Sequence, residues 1–181
     1  MTPEARRTAL VVVASEAEPV VDPFRRRFLP AAVERGIPAH LTVLFPFVPA
    51  DHLDEDIVAM LEALYAPLVP FAYQLVSVMS FPGVAWLAPE PSEPFVDLIA
   101  RTTAAFPNLP PYGGAHSEPV PHCTVGDAER PERLDEIVAE LRAELAPGLP
   151  IRCRCAAVTL LEELADGTWS TNRSFRLTGS A

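Results

Sequence analysis

The sequence is short of positive charge, of cysteine, of histidine and of long apolar runs. Lys and Arg together number 14 against 24 Asp and Glu, a formal net charge of −10. Sequence-blind binding of DNA or of long RNA needs a basic face, and this balance excludes it; a small phosphate ligand in a locally neutral or positive cleft remains compatible. No stretch approaches the roughly 20 apolar residues of a membrane span. The apolar part of MTPEARRTALVVVAS is too short for a secretory signal and runs straight into charge. A cytoplasmic protein without membrane contact is expected. The three cysteines fit that compartment. Cys153 and Cys155 lie two apart on an expected strand, face one side, and read as small buried hydrophobes; a metal site would need further Cys or His within sequence reach.

What is present is a foldable chain. Its 181 residues, 49% apolar, suffice for one compact domain or two small lobes sharing a core. The 21 prolines mostly mark element ends. TALVVVA (8–14) reads as a central strand. Asp22-Pro23 reads as a helix start, with a break at Pro30, resumption through 31–35 and a stop at Gly36. The stretch 39–45 is a strand. A helix capped at Asp51 carries Leu53, Ile57, Leu61 and Leu64 on one face. Strands 71–81 and 84–87 form a hairpin about Pro82-Gly83, and Ser92 caps a helix lined by Phe95, Leu98, Ile99, Thr102 and Phe106. A long loop, 107–119, leads into strand 120–125; long loops in compact domains are often functional. A helix from Pro131, a strand 151–161, a turn at Asp166-Gly167 and a strand 168–177 complete the chain.

The pattern repeats. At an offset of 80, Ile57-Val58-Ala59 aligns with Ile137-Val138-Ala139, Leu61 with Leu141, Ala63 with Ala143, Ala66-Pro67 with Ala146-Pro147, and Pro70 with Pro150: eight identities in fourteen positions. Helix composition explains part of this, but not the two prolines in register. The expected domain is a single bilobal unit spanning 1–181, with an internal repeat of about 8–81 and 84–161 and a closing strand 168–177. A pseudo-twofold axis would set two equivalent strands on either side of one cleft.

Those strands carry the chemistry. His40-Leu41-Thr42-Val43 and His122-Cys123-Thr124-Val125 are the same H-x-T-x pattern. Residues i and i+2 of a strand share a face, so His40 and Thr42 point one way and Leu41, Val43 and Phe45 the other. Likewise His122, Thr124 and Gly126 share a face, opposite Cys123 and Val125. The apolar set is the core face, which leaves the His/Thr face for a cleft. Two imidazoles can act as base and acid near neutral pH, and two threonine hydroxyls can donate to an anionic oxygen between them. Phosphodiester cleavage without a metal calls for such a set.

The paired motifs, in equivalent places of a bilobal repeat, resemble the 2H phosphoesterase superfamily, and within it the 2′-5′ RNA ligase-like and cyclic phosphodiesterase branch. The resemblance spans nearly the whole chain. It implies an α+β fold with two pseudo-twofold-related, antiparallel-rich lobes around a central cleft and helices outside. It further implies metal-independent chemistry, with no cofactor, on 2′,3′-cyclic or 2′-5′ phosphodiesters, with His40, Thr42, His122 and Thr124 as the catalytic set. Which histidine is base and which acid stays open. RNA-acting members often carry a basic residue soon after the second motif; here Gly126-Asp127 follows, which, with the acidic charge, turns the expectation towards a small nucleotide or sugar cyclic phosphate. RNA ends are a further expected partner, and a monomer is expected. A nucleotide-binding module with little turnover and a 2′-5′ RNA ligase are the alternatives.

Secondary candidates for substrate contact are Tyr112, which could stack on a base, His116 in the same loop, and Arg27, one of three consecutive arginines before the first motif. His52 reads as solvated. Trp86 and Trp169 read as core or lobe-surface aromatics and not as ligand contacts.

Overall fold

The computed structural model describes residues 6–114 and 120–180. Along the chain run β1 (Thr8–Val13), α1 (Glu18–Phe28), α2 (Pro30–Glu34), β2 (His40–Leu44), α3 (Glu55–Tyr65), β3 (Phe71–Phe81), β4 (Val84–Glu90), α4 (Glu93–Ala105), β5 (Cys123–Asp127), α5 (Pro131–Glu144), β6 (Ile151–Cys155), β7 (Ala157–Glu163) and β8 (Trp169–Arg176). The strands form one sheet in the order β6-β3-β4-β5-β2-β1-β7-β8, each neighbouring pair antiparallel. The α+β class with two antiparallel lobes thus takes the form of two four-stranded halves of a continuous sheet. They join where β2 meets β5, at the pair Leu41↔Cys123.

Helices cover one face. Leu98 and Ile99 of α4, Leu134, Ile137 and Leu141 of α5, and Val21 and Phe28 of α1 pack with Leu10, Leu41, Leu75, Leu87 and Cys123 of the strands in one core cluster. Each such large apolar side chain contributes roughly 1.5–3 kcal/mol on burial. The opposite face of the β1–β7 side holds only a small apolar group, Ala9, Val11 and Leu161, with Val13, Phe45 and Trp169 against it. It is therefore the face available to a ligand.

Four local expectations shift. The first helix begins at Glu18, with Pro23 inside it, because Val21, Arg25 and Phe28 form one buried face that starts a turn earlier; Asp22 pairs with Arg26 at 2.7 Å and caps nothing. Asp54, not Asp51, caps α3, accepting from the Ile57 N–H at 2.9 Å. The run 151–161 is two strands, since the chain leaves β3 at Cys155, pairs with β8 from Ala157 and joins β1 from Thr159. No glycine or proline marks this change of partner. The second motif strand starts at Cys123, so His122 lies immediately before it.

Candidate active site

The register of the junction decides how the motifs meet. Leu41 opposes Cys123, and antiparallel counting from that pair sets His40 beside Thr124 and Thr42 beside His122. Leu41 and Cys123 are 1% and 0% exposed, so their side chains take the core face. All four motif side chains consequently take the other, at the corners of a small quadrilateral with the histidines on one diagonal. Directly opposed residues have Cβ atoms about 4.5–5.5 Å apart, close enough for one tetrahedral phosphate to touch all four. Each of the four is half-buried.

Both imidazoles are held by the same device. Nδ1–H of His40 donates to the Pro38 carbonyl at 2.8 Å, and Nδ1–H of His122 to the Val120 carbonyl at 2.7 Å. A carbonyl can only accept, so Nδ1 carries the proton in each ring and Nε2 is left to work in the cleft. The segment before His40 is itself fixed. Arg25, 1% exposed, gives one guanidinium N–H to Glu18 (2.8 Å) and another to the Ile37 carbonyl (2.6 Å), while Glu18 also accepts from the Ala39 N–H at 2.6 Å. Burial pushes the His40 imidazole down to about 4; the Pro38 hydrogen bond opposes this, and the charges of Arg25 and His122 add to it. At neutral pH His40 is therefore neutral, with a free Nε2 lone pair. His122 packs instead against aromatic rings, Phe81 at 5.3 Å and Trp86 at 5.8 Å, which stack on each other at 4.6 Å.

A β-bulge sits at the same place in both motif strands. Thr42 opposes Val11 while Leu44 opposes Leu10, so Val43 is the extra residue; Thr124 opposes Trp86 while Gly126 opposes Ala85, so Val125 is. The insertion resets side-chain parity. Val43 and Leu44 both enter the core, at 3% and 0% exposed. Phe45 emerges on the His/Thr face, where strict alternation had placed it in the core. Gly126 turns to the core instead of sharing the face of His122: a Cβ there would lie 3.0 Å from Ile137 Cγ2 and 3.0 Å from Phe28 Cβ.

Beside His40 and Thr42 opens a pocket of about 220 Å³, floored by Ala9, Val11 and Leu161 and walled by Phe45, Trp169 and Ile37, with Arg7 and Arg35 at its rim. Arg7 lies 5.7 Å over the Trp169 ring and grips Glu163 through two hydrogen bonds, at 2.8 and 2.6 Å. That grip holds the Glu163 carboxyl below its usual range.

A family model for the 2′-5′ RNA ligase superfamily matches residues 12–167, most of the chain and both motifs. The chain belongs to the 2′-5′ RNA ligase superfamily. Solved structures agree on the fold. TT0787 of Thermus thermophilus superposes with a TM-score of 0.65 at 20% identity, covering 97% of this chain and 100% of its own. LigT of E. coli complexed with 3′-AMP gives 0.62 at 16% identity, covering 97% and 99%, and LigT complexed with NADP+ gives 0.60 at 15%, over the same shares. No curated protein matches the sequence.

Within this superfamily fold, the secondary candidates fare differently from the motifs. Arg27 is not in the cleft. It points across to α5, where it pairs with Glu140 and, at 3.3 Å, with Glu144, and its guanidinium lies 4.7 Å over Phe28. Helix phase is the reason: Arg25 takes the inward position of the three arginines, and Arg27 falls on the flank facing α5. His116 and the side chain of Tyr112 lie outside the described residues. His52 is exposed in a short 3-10 turn. Trp169, expected to be packing alone, lines the pocket. Arg35 and Arg7 are additional cleft residues that sequence reasoning passed over; the signal for Arg35 was its place next to Gly36, whose φ of +75° turns the chain back towards β2. Among the described residues, no group of three or more His, Cys, Asp or Glu is placed to hold a metal ion, and no helix is long and apolar enough to cross a membrane.

Proposed function

We propose that this superfamily member is a metal-independent phosphodiesterase that opens 2′,3′-cyclic or 2′-5′ phosphodiester bonds of a nucleotide, short RNA or sugar phosphate by two-histidine acid–base catalysis. The observation that supports the reading is the Leu41↔Cys123 register, which sets the four motif side chains on one face of the sheet, together with the matched Nδ1–H hydrogen bonds, which leave both Nε2 atoms unused by the backbone.

In this scheme the Thr42 and Thr124 hydroxyls donate to the non-bridging phosphoryl oxygens and hold them as charge develops. His40, neutral at the working pH, takes the proton of an attacking water at Nε2 as the new P–O bond forms. The bound anion favours the imidazolium so produced. The bond from phosphorus to the leaving ribose oxygen breaks, and His122 gives that oxygen a proton from Nε2. An imidazolium at His122 meets the electron-rich rings of Phe81 and Trp86, which suits the acid role. The balance is one water consumed, one ester bond broken, and one proton passed to each side, restored from solvent.

With a 5′-hydroxyl in place of water, the same groups would form a new P–O5′ bond and break the P–O3′ bond of a 2′,3′-cyclic phosphate, leaving a 2′-5′ linkage, so ligation is the second reading. The net charge of −10 counts against long RNA as partner. Structures of LigT, a protein of the same fold, hold 3′-AMP, ATP and NADP+, which supports a nucleotide-sized ligand here. The test is turnover on a panel of 2′,3′-cyclic nucleotides, 2′-5′ dinucleotides and ADP-ribose cyclic phosphate in the presence of a strong chelator. Hydrolysis that survives chelation and drops by on the order of 10² or more in both His40→Ala and His122→Ala is expected. Near-normal turnover by either variant, or activity restored only by added metal, refutes the scheme.

A further inference from the structure

The motif quartet is close to twofold-symmetric, but what flanks it is not. Pairing sets the equivalences. Val11 stands opposite Thr42 and beside Thr159, as Trp86 stands opposite Thr124 and beside Met79. Ala9 beside Leu161 matches Val84 beside Phe81. On the β4 side, then, an indole stacked on a phenyl ring fills the space next to His122. On the β1 side, valine and alanine leave it open, and that opening is the pocket beside His40. Charge follows the same division. Asp127 pairs with Val84 and so shares the cleft face on the filled side. The open side carries Arg7 and Arg35. Of these, Arg7 is occupied by Glu163. The Arg35 guanidinium is close enough to Glu163 for its charge to help lower that carboxyl, but it forms no hydrogen bond or ion pair with any described residue, and its backbone is fixed, because the Trp169 N–H donates to its carbonyl at 2.7 Å. The chain has no lysine; the spare cation is a guanidinium, whose planar fork suits a phosphate better than an ammonium would.

Resting on the phosphodiesterase reading above, we propose that the open pocket is a specificity subsite for a second phosphate of the substrate. The nucleoside lies in the pocket beside His40, against Phe45 and Trp169, whose rings pack on each other at 6.3 Å over Ala9 and Val11, and Arg35 binds the phosphate on its 5′ side, one nucleoside away from the phosphodiester at the histidines. The preferred substrate is then a nucleoside 2′,3′-cyclic phosphate that also bears a 5′-phosphate, either as a free monoester or as the next linkage of a short oligonucleotide. A bare cyclic nucleoside phosphate leaves Arg35 unused.

The test compares adenosine 2′,3′-cyclic phosphate with the same compound carrying a 5′-phosphate, and with a dinucleotide ending in the cyclic phosphate. The wild-type KM for the bare compound should exceed that for the 5′-phosphorylated one by about tenfold, as expected for one charge-assisted contact. Arg35→Gln should bring that ratio close to one. A lower KM for the dinucleotide than for the monoester assigns the second phosphate to an RNA end; the reverse assigns it to a mononucleotide. A parallel measurement follows Trp169 fluorescence as 5′-AMP or adenosine is added: 5′-AMP should bind more tightly, and Arg35→Gln should remove the difference. Equal KM values in the wild type, or a ratio that survives Arg35→Gln, overturns the subsite while leaving the phosphodiesterase reading standing. Arg35-dependent binding of 5′-AMP with no turnover of any substrate supports the subsite and overturns the phosphodiesterase reading.

Discussion

Lowering the pH should weaken this fold through His40 in a window set by its own titration. The ring's ordinary value is 6.5, and burial brings it to about 4 in the folded chain. Between those two values the unfolded chain binds a proton at this position and the folded chain does not. Stability must then fall as pH falls, being fully present above 6.5 and lost by the time pH reaches the folded value of about 4. Each pH unit of such a difference is worth about 1.4 kcal/mol. Because the residue is only half-buried, the contribution is about 2–3 kcal/mol, not the full product of shift and unit cost. Urea denaturation of the wild type and of His40→Asn, at several pH values through the window, isolates it. Asparagine cannot titrate, and its amide can still donate to the Pro38 carbonyl. The wild-type curve should fall more steeply than the variant's by about 2–3 kcal/mol across the window. Kinetics give an independent reading: the acid limb of kcat/KM reports the base in the free enzyme and should lie well below 6.5. Parallel stability curves, or an acid limb at the ordinary histidine value, would refute the claim that His40 is kept neutral by burial, and with it the assignment of His40 as base.

Glu18→Ala removes the partner of a buried guanidinium and one acceptor for the strand that carries His40; a loss of about 3–5 kcal/mol in denaturant unfolding is expected, most of it recovered when Arg25→Met is added. Gly126→Ala should cost about 1–3 kcal/mol, since its Cβ would press on Ile137 and Phe28; a neutral result in thermal melts would show that α1 and α5 yield there. Arg27→Gln should change stability by no more than about 1 kcal/mol and leave the KM ratio of bare to 5′-phosphorylated substrate intact, in contrast to Arg35→Gln. Thr42→Val and Thr124→Val, nearly isosteric, should each lower kcat by on the order of 10² with the fold preserved in far-UV circular dichroism.

Alternation and motif spacing made the architecture legible. Apolar residues at Leu41 and Cys123 identified the core face, and the histidines and threonines two apart identified the other. Parity then failed at one residue per strand. A bulge at Val43 and another at Val125 each insert a position that no glycine or proline announces, and strict alternation inverts every residue beyond them: it assigns Phe45 to the core, yet Phe45 lines the pocket, and it assigns Gly126 to the cleft, yet Gly126 packs on Phe28. The helix arginines failed for a related reason. Three consecutive arginines span almost a full turn, so which faces inward depends on where the helix begins, and placing that start at Asp22 concealed the phase that buries Arg25. Arg35 and Trp169 lie far apart in sequence and meet only through strand pairing, so no local pattern could have joined them.

The pseudo-twofold frame and its breaking suit the chemistry of a phosphodiester. Seen from phosphorus, the two non-bridging oxygens are nearly equivalent, and the proposed scheme gives them two equivalent threonines. The two ester oxygens are not equivalent, because one leaves and the other stays with the remainder of the substrate. A fully symmetric site would bind the substrate in either sense and could not fix which histidine takes the proton of the attacking water and which protonates the leaving oxygen. Replacing one small pair of residues with a large aromatic pair, Val11 and Leu161 against Trp86 and Phe81, closes one side of the cleft and opens the other. On this account Trp86→Ala, which empties the closed side, should do more than loosen packing: it should admit the substrate in both senses and mix the regiochemistry of ring opening, seen as 2′- and 3′-phosphate products together. A variant that stays folded and still yields a single product would show that the orientation is set elsewhere.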